Sequence, residues 1–156
     1  MNKKRKILWV LVVLTVMFIF GQSLLNQSTS NKESTAITEQ VIDPALKAVT
    51  GSEKIGIKNS TVRDIAHVVE FAALGLELVL LMENKKRIIR AIESIGCCGF
   101  VAVIDETIQH FTGRAPQLID VWHDILGAIV GATVCVVIVA LISRNKKETR
   151  HNKKAA

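Results

Sequence analysis

The sequence predicts an all-α membrane protein, a bundle of four spanning helices with both termini in the cytoplasm. Three observations carry that reading. Of 156 residues, 49% are hydrophobic but only 4% aromatic, an unusual pairing for a soluble domain. The apolar residues are gathered into four blocks, each near the roughly 20 residues needed to cross a bilayer core. The basic residues cluster between and beyond those blocks, at positions that one path through the membrane brings to one side. Buried core helices of a soluble protein are the alternative, but four such blocks leave too little polar surface for a soluble globule.

The first span is expected over about residues 7–25, a run without charge preceded by Lys3, Lys4, Arg5 and Lys6. A basic start and an apolar run also describe a secretory signal. The exit Gly21-Gln22-Ser23-Leu24-Leu25 offers no clear small-x-small cleavage site, which favours a retained span. Residues 26–63 follow as the one sizeable outer loop, of mixed or low order. Its first part is rich in Ser, Thr, Asn and Gln and is expected to be mobile. Ile37, Val41, Leu46 and Val49 give a short amphipathic piece around Pro44. The remaining spans are expected over about 65–82, 88–107 and 118–143, with residues 144–156 as a basic cytoplasmic tail. The whole chain, 1–156, reads as a single membrane domain.

Charge placement sets the orientation. Lys85, Lys86, Arg87 and Arg90 lie between the second and third spans, and Arg144, Lys146, Lys147, Arg150, Lys153 and Lys154 follow the fourth. An N-in, C-in path puts these and the N-terminal cluster on one side, as the positive-inside rule requires. The net charge of +6 therefore needs no nucleic acid to explain it. A nucleic-acid surface would present a basic face with interleaved aromatics, and neither is visible. Trp9 and Trp122 fall near helix ends, where indole rings favour the interface. Cys97, Cys98 and Cys135 map inside the membrane without metal-ligand spacing and read as reduced packing residues. No resident metal or cofactor is assigned.

Ionisable groups inside apolar helices are costly and usually functional. The second span carries His67 and Glu70, the third Asp105, Glu106 and Gln109, and the fourth Asp120, His123 and Asp124. At ~1.5 Å of rise per residue, Glu70, Asp105 and Asp124 each lie roughly 9 Å below the outer boundary. Three helices of alternating direction thus bring acids to one level. His67 and Glu70 are three apart, while Asp105 and Gln109, and Asp120 and Asp124, are four apart, so each pair shares a face. The last of these faces continues to Gly127 and Gly131, a small-xxx-small seam that admits a close neighbour. Arg114, in the short turn before the fourth span, is placed to offset negative charge. Interhelical bonds that merely fix the fold are the bland explanation. Against it, the carboxylates outnumber the nearby cations, and like charges in a partly dry site cannot all ionise. Such a site holds protons, a metal or a cationic ligand. Glu77 and Glu93, near the cytoplasmic end, are expected to pair with Arg87 or Arg90.

Several ordered motifs resemble the VanZ-like family of bacterial membrane proteins. The exit Phe20-Gly21-Gln22-Ser23, with Ser28, Ser30 and Ser34 beyond it, loosely matches that family's Phe/Ser/Gln-rich exit. The stretch Arg63-Asp64-Ile65-Ala66-His67-Val68-Val69-Glu70-Phe71 is similar to its Arg-x-x-Ala-His-x-x-Glu-aromatic motif, with Asp64 where the family more often has Lys. The run Asp105-Glu106-x-x-Gln109-x-Phe111-x-x-Arg114, then Asp120-Val121-x-x-Asp124-x-x-Gly127-x-x-x-Gly131, is the strongest match. Thr112-Gly113 stands where the family often has Pro-Gly. The resemblance implies an envelope role. The family's namesake is associated with lowered susceptibility to the lipophilic glycopeptide teicoplanin, and no settled catalytic mechanism comes with it.

Three functions compete. A cell-envelope protein would use the outer-leaflet acidic and histidine site to bind an amphiphile, an antibiotic or an envelope lipid. An intramembrane enzyme would act on a lipid-linked precursor. His67, Glu70 and Asp105 would then serve as acid and base, or hold a divalent metal with Glu106 and Asp124. No HExxH, Gly-x-Ser-x-Gly or phosphate loop supports that. A proton-coupled transporter would need several four-helix subunits. The expected partners are membrane lipids and an amphiphilic ligand, with oligomers open.

Overall fold

The computed structural model describes residues 2–25, 27–50, 59–82, 86–112 and 118–155, and every element among them is helical. Helix α1 (Lys3–Ser23) opens where the Asn2 side chain accepts a hydrogen bond from the Arg5 N–H at 2.9 Å, which satisfies one of the free amides at a helix start. It closes at Leu24, whose N–H bonds to the Phe20 carbonyl at 3.0 Å.

The next segment corrects the expectation of a poorly ordered outer loop. Residues 27–50 form α2 (Gln27–Ile37), a π-helical turn (Thr38–Ile42) and α3 (Asp43–Thr50). The polar composition that argued for a loop is used up locally. Ser34 Oγ donates to the Ser30 carbonyl at 3.0 Å, and Thr38 Oγ1 donates to the Ser34 carbonyl at 2.8 Å. Ser30 and Ser34 are buried, and α2 packs on the helix that begins at Asn59. Pro44 has no N–H to give to the preceding turn, and the helical pattern changes register just before it. Residues 51–58, which belong to the expected loop, lie outside the described residues.

Three long helices complete the chain: α4 (Asn59–Leu81), α5 (Arg87–Phe111) and α6 (Leu118–Ala155). Helix α4 begins before the expected second span. Helix α5 runs a turn past the expected third, which keeps Gln109 on a regular helix. Helix α6 passes straight through position 143, because residues 144–155 include neither glycine nor proline to stop it. Two stretches, Lys3–Ser23 and Ile119–Lys146, are long and apolar enough to cross a membrane.

The outward faces carry many large apolar side chains, while several polar groups lie inside beside the apolar core. Leu14 and Met17 on α1, Ile65 and Val69 on α4, Phe100 and Val103 on α5, and Leu126 and Val130 on α6 are all exposed. Ser23, His67, Ser94, Asp105, Gln109 and Asp124 are buried. Wide apolar exposure around buried polar groups suits a hydrocarbon surrounding.

Helices α4 and α6 approach until their backbones touch. A Cβ on Gly75 would lie 2.7 Å from the Ala128 carbonyl oxygen. One on Gly127 would collide with the Val68 carbonyl, and one on Gly131 with the Ala72 carbonyl. Only glycine permits that spacing. Helix α5 joins the pair through Ser94 Oγ, which donates to the Gly75 carbonyl at 2.7 Å. Around α4 the core gathers Phe71, Leu74 and Leu78 with Val12 and Ile19 of α1, Cys98 and Ala102 of α5, and Ala128 of α6. A smaller cluster joins Val79, Ala91, Ala132 and Cys135. All three cysteines are free thiols.

Candidate functional site

Asp105 of α5 is fully buried, and two neighbours fix its carboxylate. Its Oδ1 accepts a hydrogen bond from Ser23 Oγ of α1 at 2.5 Å, and its Oδ2 accepts one from Gln109 Nε2 at 2.7 Å. Gln109 is four residues on, so one turn of helix delivers its amide to the acid. Thr112 Oγ1 donates to the Ser23 carbonyl at 3.1 Å, which ties the end of α1 to the end of α5.

His67 of α4 and Asp124 of α6 meet beside this group. His67 Nδ1 stands 3.4 Å from Asp124 Oδ1 and 3.9 Å from Asp105 Oδ2. The shorter approach has the distance of an ion pair without the alignment of a hydrogen bond. Neither His67 Nδ1 nor Asp124 Oδ1 has a hydrogen-bond partner, although both atoms are buried. Leaving such a group unsatisfied costs about 1–3 kcal/mol. His67, Asp105 and Asp124 each offer a ligand-type atom, all within 4.8 Å of one another. The close seam explains the meeting: Gly127 lets α6 sink onto Val68, and Asp124, one turn before it, is carried to His67.

Glu70, one turn after His67, is half-buried, and its Oε2 is enclosed without a hydrogen-bond partner. His67 and Glu70 also wall a groove of about 440 Å³. Phe18 and Gln22 of α1, Ser30, Ser34 and Ile37 of α2, and Ile42 form one side of it. Val62, Arg63, Ile65, Ala66 and Val69 of α4 form the other. The walls are mostly apolar, with Gln22, Ser30, Ser34, Arg63, His67 and Glu70 as their polar members.

The acids expected to share one site are divided between two. Asp120 groups with Asp64 and His123, all half-buried, with ligand-type atoms within 4.8 Å of one another. Asp124, although on the same face of α6 as Asp120, belongs with His67 and Asp105. Glu106 is half-buried on α5, and Arg114 lies outside the described residues. Gly127 and Gly131 are the seam itself. Glu77, expected to pair with arginine, accepts a hydrogen bond from Thr15 Oγ1 of α1 at 3.1 Å. Arg90 donates to the Met82 carbonyl at 3.3 Å.

Sequence reasoning gave Ser23 and Asp64 no place in the site. A neutral hydroxyl does not stand out by charge in an apolar helix. The signal available for Ser23 was its position at the C-terminal end of the first apolar run, the end that the expected path brings level with Asp105.

The fold and the site define a helical protein with an acid–imidazole cluster buried between helices whose outward surfaces are apolar. The chain belongs to the VanZ/LLP1 family, whose model matches residues 7–140. It is a VanZ-like membrane protein. No curated protein and no solved structure matches it.

Proposed function

We propose that this chain is a four-span, multi-pass protein of the cell membrane, with both termini in the cytoplasm. Its outward-facing groove takes an amphiphilic envelope molecule and so lowers susceptibility to lipophilic glycopeptide antibiotics. The groove carries the reading. It offers apolar walls to a lipid-like portion, and His67 and Glu70 in its lining offer a polar head an imidazole and a carboxylate whose Oε2 has no hydrogen-bond partner. Ligand sites commonly combine such a lining with a few convergent polar groups. Apolar exposure on α4 and α5 supports counting both as spans, since their polar residues His67, Asp105 and Gln109 are buried. The basic clusters then fall on the cytoplasmic side.

The test uses a bacterial strain lacking the chain, restored with wild type, Glu70→Gln or Ala66→Trp. Ala66 lines the groove, so an indole there fills it. Wild type restores growth on teicoplanin-like compounds, and both variants fail to do so at equal membrane levels. If both variants protect as well as wild type, the groove reading is wrong.

A further inference from the structure

We infer that His67, Asp105 and Asp124 bind one divalent transition-metal ion, of the zinc or manganese kind, between α4, α5 and α6. A cluster of acids alone would not carry this. What carries it is the state of the two atoms that face each other. Asp124 is 2% exposed and His67 is 8% exposed, yet Asp124 Oδ1 and His67 Nδ1 have no hydrogen-bond partner. They confront each other at 3.4 Å. In tetrahedral coordination with bonds of about 2.0–2.1 Å, ligand atoms stand about 3.3–3.4 Å apart. The His67–Asp124 pair already has that separation. The Asp105 Oδ2 distance from His67 Nδ1, 3.9 Å, closes with a small side-chain movement.

The donor set has the right chemistry. One imidazole nitrogen with two carboxylate oxygens suits zinc or manganese, whereas calcium asks for six to eight oxygens. Asp105 is also held as metal-binding carboxylates are held. Ser23 fixes Oδ1, and Gln109 fixes Oδ2 through one of its two lone-pair positions. For zinc, three protein ligands leave a fourth position open, and for octahedral manganese they leave three. His67 is shared between this centre and the groove wall, so the open position is within reach of whatever the groove holds. The ion's place does not depend on the identity of that occupant.

A proton shared by His67 and Asp124 is the competing explanation, and metal content separates the two. The full chain is purified in detergent, stripped with chelator, dialysed against Zn²⁺ or Mn²⁺, and analysed for metal by mass spectrometry. Wild type is expected to hold one equivalent, and its thermal unfolding temperature rises on loading. His67→Ala and Asp124→Asn lose the ion and the shift. Gln109→Ala, which frees Asp105, weakens affinity by about 10–100-fold. His123→Ala, which alters only the shallower Asp64–Asp120 cluster, keeps the equivalent. Glu77→Gln, remote from both clusters, also keeps it and controls for general damage. A folded wild type that retains no stoichiometric metal overturns the proposal. So does loss of the ion in His123→Ala with retention in Asp124→Asn. These outcomes are separate from drug susceptibility, so the groove reading and the metal site fail independently.

Discussion

Ser23 Oγ donates a 2.5 Å hydrogen bond to Asp105 Oδ1, joining the last turn of α1 to a buried acid 82 residues away in sequence. Both residues are inaccessible to solvent, so the bond has no water to replace it. Removal of the hydroxyl leaves a carboxylate oxygen enclosed without its donor. Ser23→Ala should destabilise the protein by about 1–3 kcal/mol, while Ser23→Thr, which keeps a hydroxyl, should cost less. Thermal unfolding in detergent measures both. Equal stability of Ser23→Ala and wild type would show that the bond is not structural.

The α4–α6 seam gives a sharper contrast. A Cβ at position 131 collides with the Ala72 carbonyl, whereas one at position 96 meets nothing within 4 Å. Gly131→Val should cost well beyond the usual 1–3 kcal/mol of overpacking, because backbone cannot rotate away as a side chain can. Gly96→Ala should be neutral or slightly stabilising through better helix propensity. Membrane accumulation and unfolding temperature compare the two, and similar behaviour would refute the close approach.

Glu77 and Thr15 form a polar pair in an otherwise apolar contact between α4 and α1. Thr15→Val alone removes the donor and should destabilise by about 1–3 kcal/mol. In the double variant Thr15→Val with Glu77→Leu, much of that loss should be recovered, since neither group then needs a partner. Strictly additive losses would show that the two side chains do not interact.

The path across the membrane is open to labelling. In a background without native cysteines, Thr61→Cys should react with an impermeant maleimide on intact cells. Lys4→Cys and Lys146→Cys should react only after permeabilisation. Thr61 and Lys146 are both exposed, so failure of the predicted pattern would reverse or break the proposed topology.

Much of the helical organisation was legible because apolar blocks and basic clusters report two strong forces, hydrophobic transfer and charge placement. Asp105, Gln109 and Asp124 stood out for the same reason, since a carboxylate or amide in an apolar helix is conspicuous. What charge could not show was depth around the helix axis. Asp120 and Asp124 share a face by spacing, yet one sits with Asp64 and His123 and the other with His67 and Asp105. That division depends on how far α6 sinks onto α4, a quantity set by tertiary packing at Gly127 and Gly131. Residues 27–50 were misread because Ser and Thr favour loops by local competition. Here the hydroxyls of Ser34 and Thr38 bond back to their own helical carbonyls.

The glycine contacts between α4 and α6 also determine which parts of the molecule can give way. With Val68 and Ala72 lodged against Gly127 and Gly131, sliding one of these helices along the other would drive main chain into main chain. The pair therefore behaves as a stiff post. Any widening of the groove would then fall to α1 and α2, which contribute Phe18, Gln22, Ser30, Ser34 and Ile37 to its lining. A cross-link that staples α2 to α4 should therefore hinder entry of the proposed amphiphile, while leaving the post undisturbed.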